Sequence, residues 1–300
     1  MCLLGEILLG SLISVLFCSG IEMSFLMRRF INFNGKIVDG ESPVIGSTDH
    51  SYRYGDGLFE TMKAKEGRIV YADQHFERLF TGLKTLKFKI PHILTEQKLL
   101  EDASKLCEKN NCNGLARVRL SVSRGSGGLY DGDDHCTFLL ECWPLEQNND
   151  QLNDNGLIID IFPDAKKSID VFSNLKSANY LPYVMAAVWA KENKLNDALV
   201  LNSKERICDA TIANVFWVKD TQIFTTPLSE GGVAGVMRRR ILNADQSVAE
   251  SILTEDILLN ADEVFLSNVI TGIRWVKQFR NKTYVNRIAS KLFATLIQTN

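Results

Sequence analysis

The sequence predicts an α+β protein built as two units, on three observations. Short alternating and β-branched runs recur between Phe30 and Pro144, interrupted by two stretches with helical spacing. Asn148 to Asn155 is polar, rich in Asn and Asp and without periodicity, which marks a linker. A length of 300 residues suits two domains, and 45% apolar content is enough to give them cores. The expected division is an N-terminal extension over 1–28, a small domain over 29–147, a linker over 148–155 and a larger mixed β domain with helices over 156–300.

The elements follow in order. From Phe30, Phe-Ile-Asn-Phe-Asn-Gly-Lys-Ile-Val reads as a hairpin turning at Asn34-Gly35, a pair suited to two successive positive φ angles. Residues 57–71 add two strands. Phe76, Leu79, Phe80, Leu83 and Leu86 predict a helix near 73–88, and a second is expected over 94–110. Strands near 115–124 and 136–144 complete the small domain. The second domain opens on a strand over Leu157–Phe162. Leu181, Val184, Met185, Val188 and Trp189 mark one apolar face of a helix, and 197–202, 212–218 and 222–226 read as strands. Gly231-Gly232-Val233-Ala234-Gly235 leads into a helix at about Val236.

With 34 basic and 36 acidic residues, a net charge of -2 and no basic block, nothing favours nucleic acid as a partner. The seven cysteines form no Cys-x-x-Cys pair, and Cys107 and Cys112 have no second Cys/His pair beside them. They read as free thiols rather than metal ligands, in a reducing, cytoplasmic compartment. Residues 2–19 are apolar, yet no positive charge precedes them, Glu6 interrupts them, Arg28 and Arg29 follow, and no small-x-small cleavage site appears. They read as an upstream extension with the start at Met23 or Met27, ahead of a targeting segment as the second reading. No membrane partner is expected.

The chemistry gathers around Lys176, which stands before the helix in Lys-Ser-Ala-Asn-Tyr-Leu-Pro, and Asp209, which lies on a strand in Ile-Cys-Asp-Ala-Thr-Ile-Ala-Asn-Val-Phe. Alone, a lysine is usually a solvated charge. Here the context is extended by Asp197-Ala-Leu-Val-Leu, by His75-Phe-Glu-Arg78-Leu, and by Tyr54-Gly-Asp-Gly-Leu-Phe59-Glu-Thr61. Together these resemble the class IV aminotransferase family, the fold type IV pyridoxal phosphate enzymes, over nearly everything from 30 to 280.

The resemblance implies a role for each residue. Lys176 would form the Schiff base with pyridoxal 5'-phosphate and later shuttle the substrate proton, while Tyr180 would donate a hydrogen bond to the cofactor's ring oxygen. Asp209 stands where the family usually has Glu, beside the pyridine nitrogen. It is shorter by one methylene, roughly 1.5 Å, so the strand sits closer, a water bridges, or the electron sink is weaker. Arg78 would grip the phosphate with its planar fork, and the N–H groups of Val236 and Met237 at the helix start would add to it. Asn268 and Val269 would complete the cofactor site. Many transaminases of the family carry hydroxyls at the Met237 and Val269 positions, which this chain lacks.

On the substrate side the resemblance points to Tyr54, Phe59, Thr61 and Lys63, the last three sharing one strand face, and to Arg119. The run Ser123-Arg124-Gly-Ser-Gly-Gly128 is similar to the loop of 4-amino-4-deoxychorismate lyases. Leu129 and Asp131 replace the arginine and histidine of D-amino acid aminotransferases, and Glu60-Thr61-Met62-Lys63 departs from the branched-chain enzymes. The first expectation is therefore a lyase that releases pyruvate to give 4-aminobenzoate, and the second an amino acid aminotransferase. A degenerate, non-catalytic binding module is the third, with Asp209 its one hint. The family further implies a homodimer acting on a small-molecule amino substrate.

Overall fold

The structure is a computed structural model that describes residues 29–130 and 136–297. The apolar segment 2–19, the starts at Met23 and Met27, and Asp131 lie outside the described residues. Two sheets organise the chain. The first joins β1 (Phe30–Phe33), β2 (Lys36–Asp39), β3 (Gly57–Lys65), β4 (Arg68–Ile69), β5 (Leu115–Ser123) and β6 (Thr137–Pro144) in the order β2-β1-β6-β5-β3-β4, every pair antiparallel. The Asn34-Gly35 turn closes the first hairpin with φ of 49° and 83°, as its residue types demand.

Three helices accompany this sheet: α1 (His50–Tyr54), α2 (Ala72–Thr85) and α3 (Glu96–Lys109). Phe76, Leu79 and Leu83 of α2 and Leu99, Ala103 and Leu106 of α3 share a core with Met62, Val118, Leu120 and Phe138 of the sheet. Helical spacing is what made α2 visible in sequence. Cys107, Cys112, Cys136 and Cys142 are buried free thiols in the same core.

The second sheet is mixed. It takes β7 (Leu157–Lys167), β8 (Asp197–Asn202), β9 (Ile207–Ala210), β10 (Asn214–Lys219), β11 (Gln222–Thr225), β12 (Ala249–Glu250), β13 (Glu263–Asn268) and β14 (Gly272–Phe279) in the order β12-β11-β10-β13-β14-β7-β8-β9, with β15 (Lys282–Thr283) on β14. β7 runs parallel to both neighbours. Four helices surround the sheet: α4 (Leu181–Glu192), α5 (Val236–Ala244), α6 (Glu255–Leu259) and α7 (Arg287–Ile297). Phe216, Phe265, Ile241 and Phe293 anchor the core that takes in α5 and α7, and Ile159, Trp217, Leu266 and Val276 anchor another. Among the described residues no helix is long and apolar enough to cross a membrane.

Two findings differ from the sequence expectation. β7 runs on to Lys167, past an irregularity between Ile161 and Lys166 that the alternation did not announce. In α4 the predicted apolar face is turned outward. Leu181, Val184, Met185 and Val188 are exposed, while Tyr183, Ala186 and Ala190 are buried, because the small alanines let the helix lie close to β7 and β8.

The stretch between the sheets is tied to both. Lys63 of β3 forms an ion pair with Asp150, and the Asn153 amide bonds the backbone N and O of Trp275 at 3.0 Å each. The segment around Lys176 is stitched to the first sheet in turn. The N–H of Phe59 donates to the carbonyl of Lys176 at 2.9 Å, and the N–H of Ala178 to that of Gly57 at 2.8 Å, on the edge of β3 that β4 leaves uncovered.

Candidate active site

This stitching opens a cavity of about 510 Å³ that Phe59, Thr61 and Arg119 line from the first sheet and Lys176, Asp209, Met237 and Val269 from the second unit. Lys176 has aromatic neighbours rather than a carboxylate: its Nζ lies 4.5 Å from the centre of the Phe59 ring and 5.5 Å from that of Tyr180. Burial first, and then the charge of Arg78, pull its ammonium down to about 8. A lysine so placed has an appreciable free-amine fraction near neutral pH. It can act as a nucleophile or a base.

Asp209, at the end of β9, is only 2% exposed. Burial raises its pKa, and several donors oppose that. Its Oδ2 accepts from the Tyr183 hydroxyl and the Val233 N–H, both at 2.7 Å, with Lys167 Nζ at 3.8 Å. Its Oδ1 accepts from Asn214 Nδ2 at 2.9 Å. Oδ1 thus has one donor where Oδ2 has two, and both Asp209 and Asn214 line the cavity.

Another part of the wall suits a multiply charged anion. α5 starts at Val236 with no side chain capping its N–H groups, and the loop before it fits closely, for a Cβ on Gly235 would lie 1.9 Å from Asn214 Oδ1. Arg78 reaches the same loop, donating from Nη1 to the Ala234 carbonyl at 2.9 Å. Ser267, also on the cavity wall, has a buried hydroxyl without a hydrogen-bond partner. Uncapped amides, an arginine and an orphaned hydroxyl around one space suit a phosphate group.

Arg78 is itself held by two residues to which sequence reasoning gave no role. Its Nε and Nη2 fork onto Glu60 at 2.8 and 2.5 Å, and His75 Nδ1 meets the same carboxylate at 2.6 Å. Burial would raise Glu60, but Arg78 and His75 outweigh it and hold the carboxyl at about 2. The signal was present: His75 and Arg78 are spaced to share a helix face, and Glu60 alternates with Phe59 and Thr61 on its strand.

The cavity gathers Phe59, Thr61, Arg78, Arg119, Lys176, Tyr180, Asp209, Val236, Met237, Asn268 and Val269. Four of the expected site residues have partners or places of their own. Tyr54 ends the short helix α1, is exposed, and stands edge-on to His50 rather than lining the cavity. Lys63 shares the strand face of Phe59 and Thr61 but lies beyond the cavity's end, paired with Asp150. The Tyr180 hydroxyl donates to the Thr211 carbonyl at 3.0 Å, so its proton is already engaged by the chain itself. The Asn268 side chain caps its own turn, with Oδ1 accepting from Thr271 N at 2.9 Å and Oγ1 at 3.1 Å.

The glycine loop is also structural at its first residue. Arg124 forks onto Asp56 at 2.6 and 3.1 Å and donates to the Leu86 carbonyl, bracing the loop against α2's end. Arg117 does line the cavity, one alternation before Arg119 on β5. Among the described residues no group of three or more Cys, His, Asp or Glu is gathered as metal ligands.

Comparison with known proteins agrees with this geometry. Residues 57–279 match the family model described as Amino-transferase class IV. The chain is 30% identical over 232 residues to an aminodeoxychorismate lyase of Vibrio harveyi, covering 75% of this chain and 83% of that one. The solved 4-amino-4-deoxychorismate lyase of Pseudomonas aeruginosa is 25% identical with a TM-score of 0.76, covering 89% of this chain and 97% of that one. The branched-chain amino acid aminotransferase of Escherichia coli shares the fold at 19% identity, with a TM-score of 0.79 over 91% of this chain and 95% of that one.

Proposed function

The chain belongs to the class IV aminotransferase family, and from that premise we propose that it is an aminodeoxychorismate lyase, releasing pyruvate and leaving 4-aminobenzoate. It is a pyridoxal phosphate-dependent enzyme of α+β fold, which closes the reading as a non-catalytic binding module. Pyridoxal phosphate, when bound, supplies an aldehyde that condenses with amines and a ring that accepts the electron pair left by a departing proton.

The chain's own residues do the rest. Lys176 Nζ would hold the cofactor's aldehyde carbon, and as a free amine would take the proton from the amine-bearing carbon of the substrate. Its pKa of about 8 leaves it able both to accept and to return a proton. Asp209 would set a negative charge beside the ring nitrogen. The N–H groups of Val236 and Met237, with Arg78 and the Ser267 hydroxyl, would hold the phosphate. Phe59 and Arg119 pack against each other at 4.2 Å and wall the substrate side with Thr61. Loss of the substrate proton and cleavage of the enolpyruvyl C–O bond leave an aromatic ring, so no second amino-group acceptor is required.

The observation that carries the lyase reading is the shared sequence, in the Ser123–Gly128 run and across the 30% identity with the Vibrio harveyi lyase. The test supplies aminodeoxychorismate alone and measures pyruvate and 4-aminobenzoate, beside a panel of L- and D-amino acids with 2-oxoglutarate. Pyruvate and 4-aminobenzoate in equal amounts are expected. Transamination without 4-aminobenzoate would promote the second reading, an amino acid aminotransferase, which Asn179-Tyr180-Leu181-Pro182 favours.

The same reading includes a homodimer in the cytoplasm, with domains over 29–147 and 156–300. The support for the dimer is the outward face of α4, where Leu181, Val184, Met185 and Val188 form an exposed apolar patch. Val184 and Ile212 also line the cavity, so a second copy covering this face would help to close it.

A further inference from the structure

We propose that Tyr183 is a positioning residue for the reaction: its hydroxyl holds Asp209 ionised and fixed in orientation toward the cavity. The proposal rests on the reading of Asp209 as the acid that faces the cofactor ring. Asp209 is 2% exposed, and a carboxylate that far from water stays charged only if donors replace its hydration. The Tyr183 hydroxyl, at 2.7 Å, is the side-chain donor on Oδ2 that lies within hydrogen-bond reach. Lys167 Nζ is farther, at 3.8 Å, and donates to the Ser173 carbonyl at 2.7 Å. Asn214 serves Oδ1 and is shared with the Val233 carbonyl.

Tyr183 does not line the cavity, so it acts through Asp209. Its ring is fixed from two sides, stacked on Tyr180 at 4.4 Å and 27° with Lys167 Nζ 5.1 Å from its centre. Burial and the charge of Asp209 push its phenol well up, so it keeps its proton and remains a donor. By occupying Oδ2 together with the Val233 N–H, it leaves Oδ1 as the oxygen that can meet a ring N–H.

The titratable groups that face Asp209 are Lys167 on β7, Lys176 in the stitched segment, Tyr180 and Tyr183 at α4, and Cys208 beside it on β9. The phenols and the Cys208 thiol are displaced upward and Lys176 lies at about 8. Asp197, whose carboxyl burial also raises, serves Thr211, so the effect on Asp209 is read as the difference between Tyr183→Phe and the parent protein on the acid side.

The experiment compares Tyr183→Phe and Asp209→Asn with the parent protein, as holoenzyme across pH and as cofactor-free protein in urea. In the holoenzyme Tyr183→Phe should lose about tenfold in turnover at pH 6 but less than about twofold at pH 9, with KM little changed. The pH at which its visible absorption changes should move upward. In the cofactor-free protein, Tyr183→Phe should lower the urea midpoint when Asp209 is present and hardly at all in the Asp209→Asn background. A loss equal at every pH, or an equal midpoint drop in both backgrounds, would mean packing alone and overturn the proposal. Unchanged turnover in Asp209→Asn would instead overturn the reading of Asp209, and the proposal with it. Slow Asp209→Asn beside a pH-flat Tyr183→Phe overturns the proposal only.

Discussion

Lys176 combines two properties that rarely occur together in a lysine: its ammonium is buried against aromatic rings, and the charge that acts on it most strongly, ahead of Glu60 and Asp209, is another cation, Arg78. Both disfavour the charged form. The amine should therefore capture cofactor faster as pH rises through about 8, when it loses its proton. Stopped-flow absorbance on cofactor-free protein measures this, and borohydride reduction followed by peptide mapping should place the label on Lys176. In Lys176→Ala the label should vanish. Asp209→Asn should bind cofactor nearly as well but slow proton removal by about 10², the effect of losing roughly 3 kcal/mol of charge stabilisation. Single-turnover rates with deuterated and ordinary substrate would separate that step from binding.

Among elements, α2 and β3 act together through Glu60, His75 and Arg78. Glu60 titrates at about 2 in the fold against an ordinary value of 4.5. The folded-state value is the depressed one, so its contribution to stability is complete above the ordinary range and is lost as pH falls from there toward 2. Glu60→Gln leaves a largely buried guanidinium without its counter-charge, which costs about 3 kcal/mol. It should also weaken cofactor affinity, because Arg78 would no longer be held against the loop before α5. Urea unfolding and equilibrium dialysis test the two effects separately.

The same scale shows what the sequence could reveal. α2, α3, β5 and β6 were legible within a few residues, since one buried face imposes a period on each, and the β1–β2 hairpin was legible from its Asn34-Gly35 turn. So was the ring of cavity residues from Phe59 to Val269, through the resemblance. α4 misled because its apolar period describes an outward face, and alanines carry no signal of burial. Tyr54 and Lys63 stand off the cavity of this chain for a geometric reason. The first ends a five-residue helix and the second lies past the cavity's edge, neither of which a strand pattern encodes. Tyr183 was invisible because its importance lies in a contact with a residue on another element.

At the scale of the molecule, the exposed face of α4 is the feature that a lone copy leaves unexplained. Val184→Glu should shift the proposed dimer to monomer by light scattering and lower turnover, while leaving the fold by circular dichroism unchanged, because Val184 is half exposed. Unaltered mass would place the interface elsewhere.

The hydrogen bonds between Gly57–Phe59 and Lys176–Ala178 also bear on how the protein matures. They join residues far apart in the chain, a contact whose loop-closure cost is met only as the two sheets come together. Neither half alone places the amine, the anion-binding amides and Arg78 around one space. Cofactor therefore recognises finished chains and passes over incomplete ones. By binding the native form selectively it draws the population toward that form and leaves misassembled copies empty, exposed to clearance.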